Sequence, residues 1–119
     1  MLDVAIEAAK EGGKIALSYF KNTPKIIYKP DKSPVTKADF EAEKIIRKII
    51  TKKFPDHGLI GEELGRSNPN AKYQWVFDPI DGTKSFVRGI KEWGVLVSVL
   101  DNNKPIIGVY FSPATNEIF

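Results

Sequence analysis

Two apolar runs near the carboxyl end limit what this chain can fold into. Trp93 to Leu100 reads WGVLVSVL and Ile106 to Phe111 reads IIGVYF, apolar nearly throughout rather than alternating. Strands of that pattern are buried on both faces, so other elements must cover each side of the sheet they form. Asp101-Asn102-Asn103-Lys104 between them predicts a hairpin. Upstream, Tyr73 to Phe77 (YQWVF) is a strongly β-prone run that ends abruptly at Asp78-Pro79. Gly58 to Ile60 and Lys25 to Lys29 (KIIYK) predict short strands, and Glu117 to Phe119 the opening of another after a turn over Ser112 to Asn116.

The cover for one face is encoded at the amino end. Leu2, Ile6, Ala9, Gly13, Leu17 and Phe20 step by four, three, four, four and three, the spacing of one apolar helix face. Gly12-Gly13 lowers helix propensity and marks a close helix contact. Asn22 to Pro24 ends this helix, and Pro30 to Pro34 reads as a loop. A second helix is expected from about Thr36 to Lys53, with Ala42, Ile45, Ile46, Ile49 and Ile50 on its buried face and Phe54-Pro55 closing it. Leu64 to Lys72 reads as an exposed loop and Gly82 to Val87 as a short helix. The expected fold is therefore α+β: two amino-terminal helices packed on one face of a twisted, mostly antiparallel sheet.

At 119 residues the chain fits one domain. It has no cysteine, which removes disulfides, thiolate metal sites and cysteine nucleophiles together. A single histidine, His57 in the turn Pro55 to Gly58, reads as structural and cannot build a zinc site. Met1 to Phe20 carries acids early and no unbroken apolar stretch, so neither a signal peptide nor a membrane span is expected, and the cytoplasm is the expected location. A net charge of +3 can attract a phosphorylated substrate. The lysines form no basic stripe with interleaved aromatics, so a nucleic-acid partner is not expected.

Four acids stand out: Asp39, Glu62, Asp78 and Asp81. Each has a plain reading. Asp39 lies three residues after Thr36, as in a capping box. Glu62-Glu63 can be solvated loop acids, and Asp78-Pro-Ile-Asp81-Gly-Thr83 can be a turn. Together they gain weight, because Glu62, Asp78 and Asp81 all follow predicted strands, where hard-cation sites are built. Magnesium takes oxygen ligands and keeps several waters, so a few carboxylates and a phosphate suffice. Gly82-Thr83 then opens a helix whose free N–H groups form a phosphate site. The spacing of Asp78, Asp81 and Gly82 does not fit a calcium loop, and no P-loop is present.

The string Trp75-Val-Phe-Asp-Pro-Ile-Asp-Gly-Thr83, preceded by Gly61-Glu62-Glu63 and by Thr36-Lys-Ala-Asp39, resembles the inositol monophosphatase family over essentially the whole chain. Within it, Phe54-Pro-Asp-His-Gly-Leu-Ile-Gly-Glu-Glu63 and Asp81-Gly-Thr-Lys-Ser-Phe86 are most similar to the histidinol-phosphatase-like branch. Lys84 is the discriminator, since inositol-directed members more often carry Thr-Asn directly after the Gly-Thr. Lysine also occurs in the branch acting on adenosine 3′,5′-bisphosphate.

The resemblance implies Mg2+-dependent hydrolysis of a small phosphate monoester, histidinol phosphate or an inositol phosphate, with Mn2+ as a possible substitute metal. It implies that Glu62 and Asp78 bind one ion with the carbonyl of Ile80, and that Asp78 and Asp81 share a second. Asp39 and Thr83 would orient the attacking water, the amides of Gly82 and Thr83 would hold the phosphate, and Lys84 would contact the substrate. Attack would be direct and in line, with two ions roughly 3.5–4 Å apart stabilising the entering and leaving oxygens.

The family continues beyond this length into a second α/β layer that supplies another aspartate ligand and much of the substrate pocket. Residues 1–119 are thus expected to be an amino-terminal metal-binding domain without its carboxyl-terminal partner. The expected partners are a second copy or a complementary carboxyl-terminal chain. The alternative reading is a non-catalytic truncated or split-subunit module that binds metal weakly and associates with such a partner.

Overall fold

The computed structural model describes residues 1–20, 26–28 and 34–119. Helix α1 spans Leu2–Tyr19 and helix α2 spans Lys37–Lys53. Both carry several Ala, Glu and Lys and contain no proline, so local propensity agrees with the packing. In α2, Asp39 sits in the first turn and Lys52 and Lys53 in the last, charges that complement the helix dipole. Helix α1 stops where Phe20 turns extended. The stop expected at Asn22 to Pro24, the outer residues Lys25 and Lys29 of the first strand, and most of the loop expected over Pro30 to Pro34 lie outside the described residues. Strands β1 (Ile26–Tyr28) and β2 (Pro34–Thr36) pair antiparallel, so Pro34 begins a strand.

Among the described residues, six further strands form one sheet: β3 (Gly58–Gly61), β4 (Gly65–Ser67), β5 (Tyr73–Asp81), β6 (Gly94–Asp101), β7 (Lys104–Ser112) and β8 (Glu117–Ile118). Their order is β4-β3-β5-β6-β7-β8. Only β3 and β5 pair parallel, and the other neighbours are antiparallel. A short helix, α3 (Thr83–Val87), follows β5. Asn102 and Asn103 turn the β6–β7 hairpin with φ of 47° and 70°. Two consecutive positive φ values are the signature of a type I′ turn, whose twist matches the strands.

The core lies between the helices and one sheet face. Val4, Ala5, Ala8 and Ala9 of α1 and Ile46 and Ile50 of α2 pack on Trp75, Phe77, Val95, Val97, Val99 and Val109. Each fully buried valine or isoleucine stabilises the fold by about 1.5–3 kcal/mol. Gly12 lets the helices close, because a Cβ there would lie 2.8 Å from Ile46 Cδ1.

Three expectations are corrected. The buried stripe of α1 is Val4, Ala5, Ala8, Ala9, Gly12, Gly13 and Ala16, whereas Leu2 and Leu17 are exposed. Small residues permit the closest approach to α2 and the sheet, so they take the interior. Gly65–Ser67 is a strand on β3 and not loop. Strand β5 does not end at Phe77 but continues to Asp81, with its register shifted between Asp78 and Asp81.

Strands β6 and β7 are covered on one side only. Val95, Val97 and Val99 are buried, while Leu96 between them is 40% exposed. Leu96 pairs with Tyr110, which in turn bonds Phe119 backbone to backbone, so these three share the outer face.

Candidate metal and phosphate site

The site grows from the pairing of β3 and β5. Gly61 is the register partner of Phe77 on the parallel neighbour. The next residues, Glu62 and Asp78, therefore leave that pair side by side. Trp75 and Phe77 face the helices, so alternation places Asp78 on the other face, in line with Leu96 and Tyr110. Pro79 has no N–H for the ladder, and a bulge follows.

The bulge is held from both ends. Ile80 N–H donates to Asp78 Oδ1 at 3.2 Å, and Thr83 Oγ1–H donates to the Ile80 carbonyl at 3.0 Å. The Ile80 side chain enters a second small core with Ala38, Ala42, Phe86 and Trp93. Phe86 meets Trp93 edge to face, with centroids 4.9 Å apart at 89°. Gly82 caps α3 in the left-handed region, with φ 89°. A Cβ there would meet the Glu92 carbonyl at 2.9 Å, so this position requires glycine.

Asp39 joins from the first turn of α2 and is buried. Asp81 and Glu62 are exposed, and Lys84 lies exposed on α3. Burial pushes the Asp78 carboxyl up to about 6, and the charges of Glu62, Asp81 and Asp39 push the same way against the Ile80 N–H. All four acids expected from the sequence thus act on one point.

They do not form a closed shell. Among the described residues, no group of three or more His, Asp or Glu side chains is placed to hold a metal ion. The Ile80 carbonyl, expected as a ligand, is engaged by Thr83. The donor chemistry nevertheless fits a hard divalent cation, because the candidate ligands, the Glu62, Asp78 and Asp81 carboxylates and the Ile80 carbonyl, are all oxygens. Like charges crowd Asp78, and a cation among them would reverse the sign of that interaction.

Three residues beside the site were not singled out by the sequence. Glu43, on α2, has no solvent exposure. Its carboxylate accepts the amides of Glu63 at 2.8 Å and Leu64 at 2.7 Å, and Arg47 Nε at 3.1 Å. Arg47 also donates to the Gly65 carbonyl and lies 5.5 Å from the Phe77 ring centre. Removing one partner of a pair buried this way costs about 3–5 kcal/mol. The legible signal was position: Asp39, Glu43, Ile46 and Ile50 step by four, three and four along the buried face. Tyr110 is the third. Its ring fits only because residue 94 is glycine, and a Cβ there would be 2.3 Å from Tyr110 Cζ. Burial raises the Tyr110 phenol, and Asp81 and Asp78 add to the rise.

The profile of the inositol monophosphatase family matches residues 1–119. The chain belongs to the inositol monophosphatase family. It is 40% identical over 119 residues to a histidinol-phosphatase of Chlorobaculum parvum, covering 99% of this chain and 46% of that protein. The suhB extragenic suppressor protein of Bartonella henselae superposes with a TM-score of 0.92 at 28% identity, covering 98% of this chain and 46% of that one. The IMPase of Thermotoga maritima superposes with a TM-score of 0.90 at 30% identity, covering 98% and 46%. The chain therefore spans about half the length of these inositol monophosphatase relatives, as their amino-terminal half. The family is one of phosphatases that use a divalent metal. Among the described residues, no helix is long and apolar enough to cross a membrane.

Proposed function

We propose that this chain is the metal- and phosphate-binding domain of a Mg2+-dependent phosphomonoesterase whose substrate is a small phosphate monoester, histidinol phosphate in the first instance. The observation that carries the reading is the convergence of Glu62, Asp81 and Asp39 on a half-buried Asp78. Burial and like charges both oppose ionisation of Asp78, and a bound cation would favour its charged form. Glu62, Asp78 and Asp81, with the Ile80 carbonyl, would hold Mg2+, which when bound supplies charge neutralisation and Lewis acidity at a phosphate ester.

The remaining work falls to the chain's own groups. Helix α3 is five residues long, so its dipole is small. The amides of Gly82 and Thr83 would meet the phosphate oxygens as individual donors, fixed by the bulge and by the left-handed Gly82. The Asp39 carboxylate would accept a hydrogen bond from the attacking water, and the Thr83 hydroxyl oxygen would fix the water's second direction. Lys84, exposed beside them, would contact the substrate. The likeness to the C. parvum histidinol-phosphatase supports the choice of substrate.

The test is hydrolysis of a phosphate-ester panel that includes histidinol phosphate and inositol 1-phosphate, with Mg2+ or Mn2+. The chain is assayed alone and after addition of a carboxyl-terminal-half polypeptide, with Asp81→Asn as control. Equal activity in parent and control would reject catalysis at this site.

A second reading has its own support. Leu96 is 40% and Phe119 72% exposed on the sheet face away from the helices. An apolar face of that kind attracts a partner. We propose that it is covered by a second copy or by a complementary carboxyl-terminal chain, and that without catalysis this domain would still be an assembly module with weak metal affinity. Solution mass, measured alone and with the added polypeptide, tests it. A monomer indifferent to that polypeptide would reject it.

A further inference from the structure

Glu43 is a buried carboxylate that the catalytic reading leaves unused. It has no solvent exposure, and all three of its partners are donors: the Glu63 amide, the Leu64 amide and Arg47 Nε. Two of the three belong to the segment that immediately follows Glu62. The third, Arg47, stands one turn further along α2 and reaches the Gly65 carbonyl, so the pair grips both sides of the turn between β3 and β4. Gly61 completes the arrangement. A Cβ at that position would lie 2.5 Å from Glu43 Oε2 and 2.8 Å from Phe77 Cε2. Glycine on the near side of Glu62 and two amides on its far side thus leave its backbone little freedom.

We infer that Glu43, with Arg47, is a positioning residue that fixes the Glu62 carboxylate in direction for a divalent cation. The inference rests on the reading of Glu62 as a metal ligand given above. Its physical content is preorganisation. Glu62 follows a strand end and is exposed, so the direction of its side chain depends on how the backbone on either side of it is held. Outer partners that orient a ligand typically change metal affinity by about 10–100-fold when removed. The carboxylate also links the site to the core, because Glu43 lies on the same helix face as Ile46 and Ile50. Helix α2 therefore carries Asp39 into the site directly and controls Glu62 at one remove.

The test is Mn2+ titration of the chelator-treated full chain, followed by electron paramagnetic resonance of free Mn2+, with amide exchange at Glu63 and Leu64 followed by NMR. Glu43→Gln is the central variant. A side-chain amide brings two N–H groups of its own into a place where every partner donates, so at least one bond is lost. The expected result is Mn2+ affinity lower by about tenfold or more, with faster exchange at residues 63 and 64 and an unchanged far-ultraviolet dichroism spectrum. Glu62→Gln is the reference. If Glu62→Gln loses affinity and folded Glu43→Gln keeps the parent value, the positioning role is overturned while the ligand reading stands. If Glu62→Gln itself binds Mn2+ like the parent, the ligand reading fails and the inference falls with it. Should Glu43→Gln not fold, Arg47→Lys and Gly61→Ala replace it. Both disturb the grip without leaving residue 43 uncharged, and parent affinity in both, folded, overturns the inference.

Discussion

Asp78→Asn tests the central claim of the site in the metal-free protein. The change keeps an Oδ1 acceptor for the Ile80 amide and removes only the charge. In the fold the carboxyl is pushed from 3.8 up to about 6, by burial first and then by Glu62, with Asp81 and Asp39 adding. A carboxyl whose folded value lies above its unfolded value favours folding while it is protonated. That contribution is whole below about 3.8 and is lost as the pH rises through about 6. At pH 7.5 the ionised group therefore opposes folding. The full rise corresponds to about 3 kcal/mol. Asp78 is only part buried, and solvent screening reduces this to about 1–2 kcal/mol.

In chelator at pH 7.5, Asp78→Asn is expected to be the more stable protein by that amount, read from urea unfolding with unchanged m. Its advantage should shrink as the pH is lowered toward 5 and vanish near 4. Excess Mg2+ should stabilise the parent more than the variant, since ligand binding to the folded state adds stability. A variant no more stable than the parent at pH 7.5, or a difference that ignores pH, would refute the view that Glu62, Asp78, Asp81 and Asp39 crowd one point.

Three further outcomes are expected. Gly82→Ala, forced to adopt φ 89° against the Glu92 carbonyl, should lose about 1–3 kcal/mol in urea unfolding, and parent-like stability would contradict the left-handed cap. Gly13→Ala should destabilise more than Gly12→Ala, because its Cβ would meet the Phe111 ring at 2.7 Å and the Pro113 ring at 2.8 Å, while a Cβ at Gly12 would meet the single, unringed side chain of Ile46 at 2.8 Å and the Ala42 carbonyl at an ordinary 3.6 Å. Both gain about 1 kcal/mol of helix propensity, so a reversed order would disprove the packing of α1 on β7. Trp75 Nε1–H donates to His57 Nδ1 at 2.9 Å, and burial holds the imidazole below its ordinary 6.5. A base whose folded value is depressed contributes stability that is whole above 6.5 and declines as the pH falls below it. NMR titration of the ring should give a midpoint under 6.5, with the Trp75 indole signal moving in step, and a midpoint above 6.5 would refute the bond.

What the sequence made legible depended on whether the local pattern and the tertiary contact agreed. The β6–β7 hairpin was plain because Asn102 and Asn103 carry the backbone preference that the turn needs. The buried face of α1 was misread because large apolar residues mark a face in a sequence, whereas here alanine and glycine form the contact and Leu17 is exposed. Strand β4 was missed because Gly65-Arg66-Ser67 has no β-branched or aromatic residue. It becomes a strand by pairing with β3, with Arg47 on the Gly65 carbonyl. Among the site residues, Asp39, Glu62, Asp78 and Asp81 were recognisable as a set. Glu43 was not, because a glutamate amid isoleucines on a helix reveals its role only when the amides it accepts are seen.

Those amides also explain how four acids can remain together in the absence of metal. Repulsion alone would drive Glu62 away from Asp78, and a strand end is the easiest place for the backbone to yield. Two anchors oppose this, and neither depends on the charges they restrain. On the Glu62 side the anchor is Glu43, whose bonds are made to backbone N–H groups and to Arg47. On the Asp78–Asp81 side it is Ile80, whose side chain is set among Phe86 and Trp93 and whose carbonyl accepts the Thr83 hydroxyl. The acids are thus placed by hydrogen bonds and packing rather than by their own charges. That division predicts independence. Replacing an acid should raise metal-free stability and lower metal affinity, whereas loosening an anchor should lower both. A variant at Glu43 or Ile80 that behaved like a variant at Asp78 would show that the anchors and the acids are one system after all.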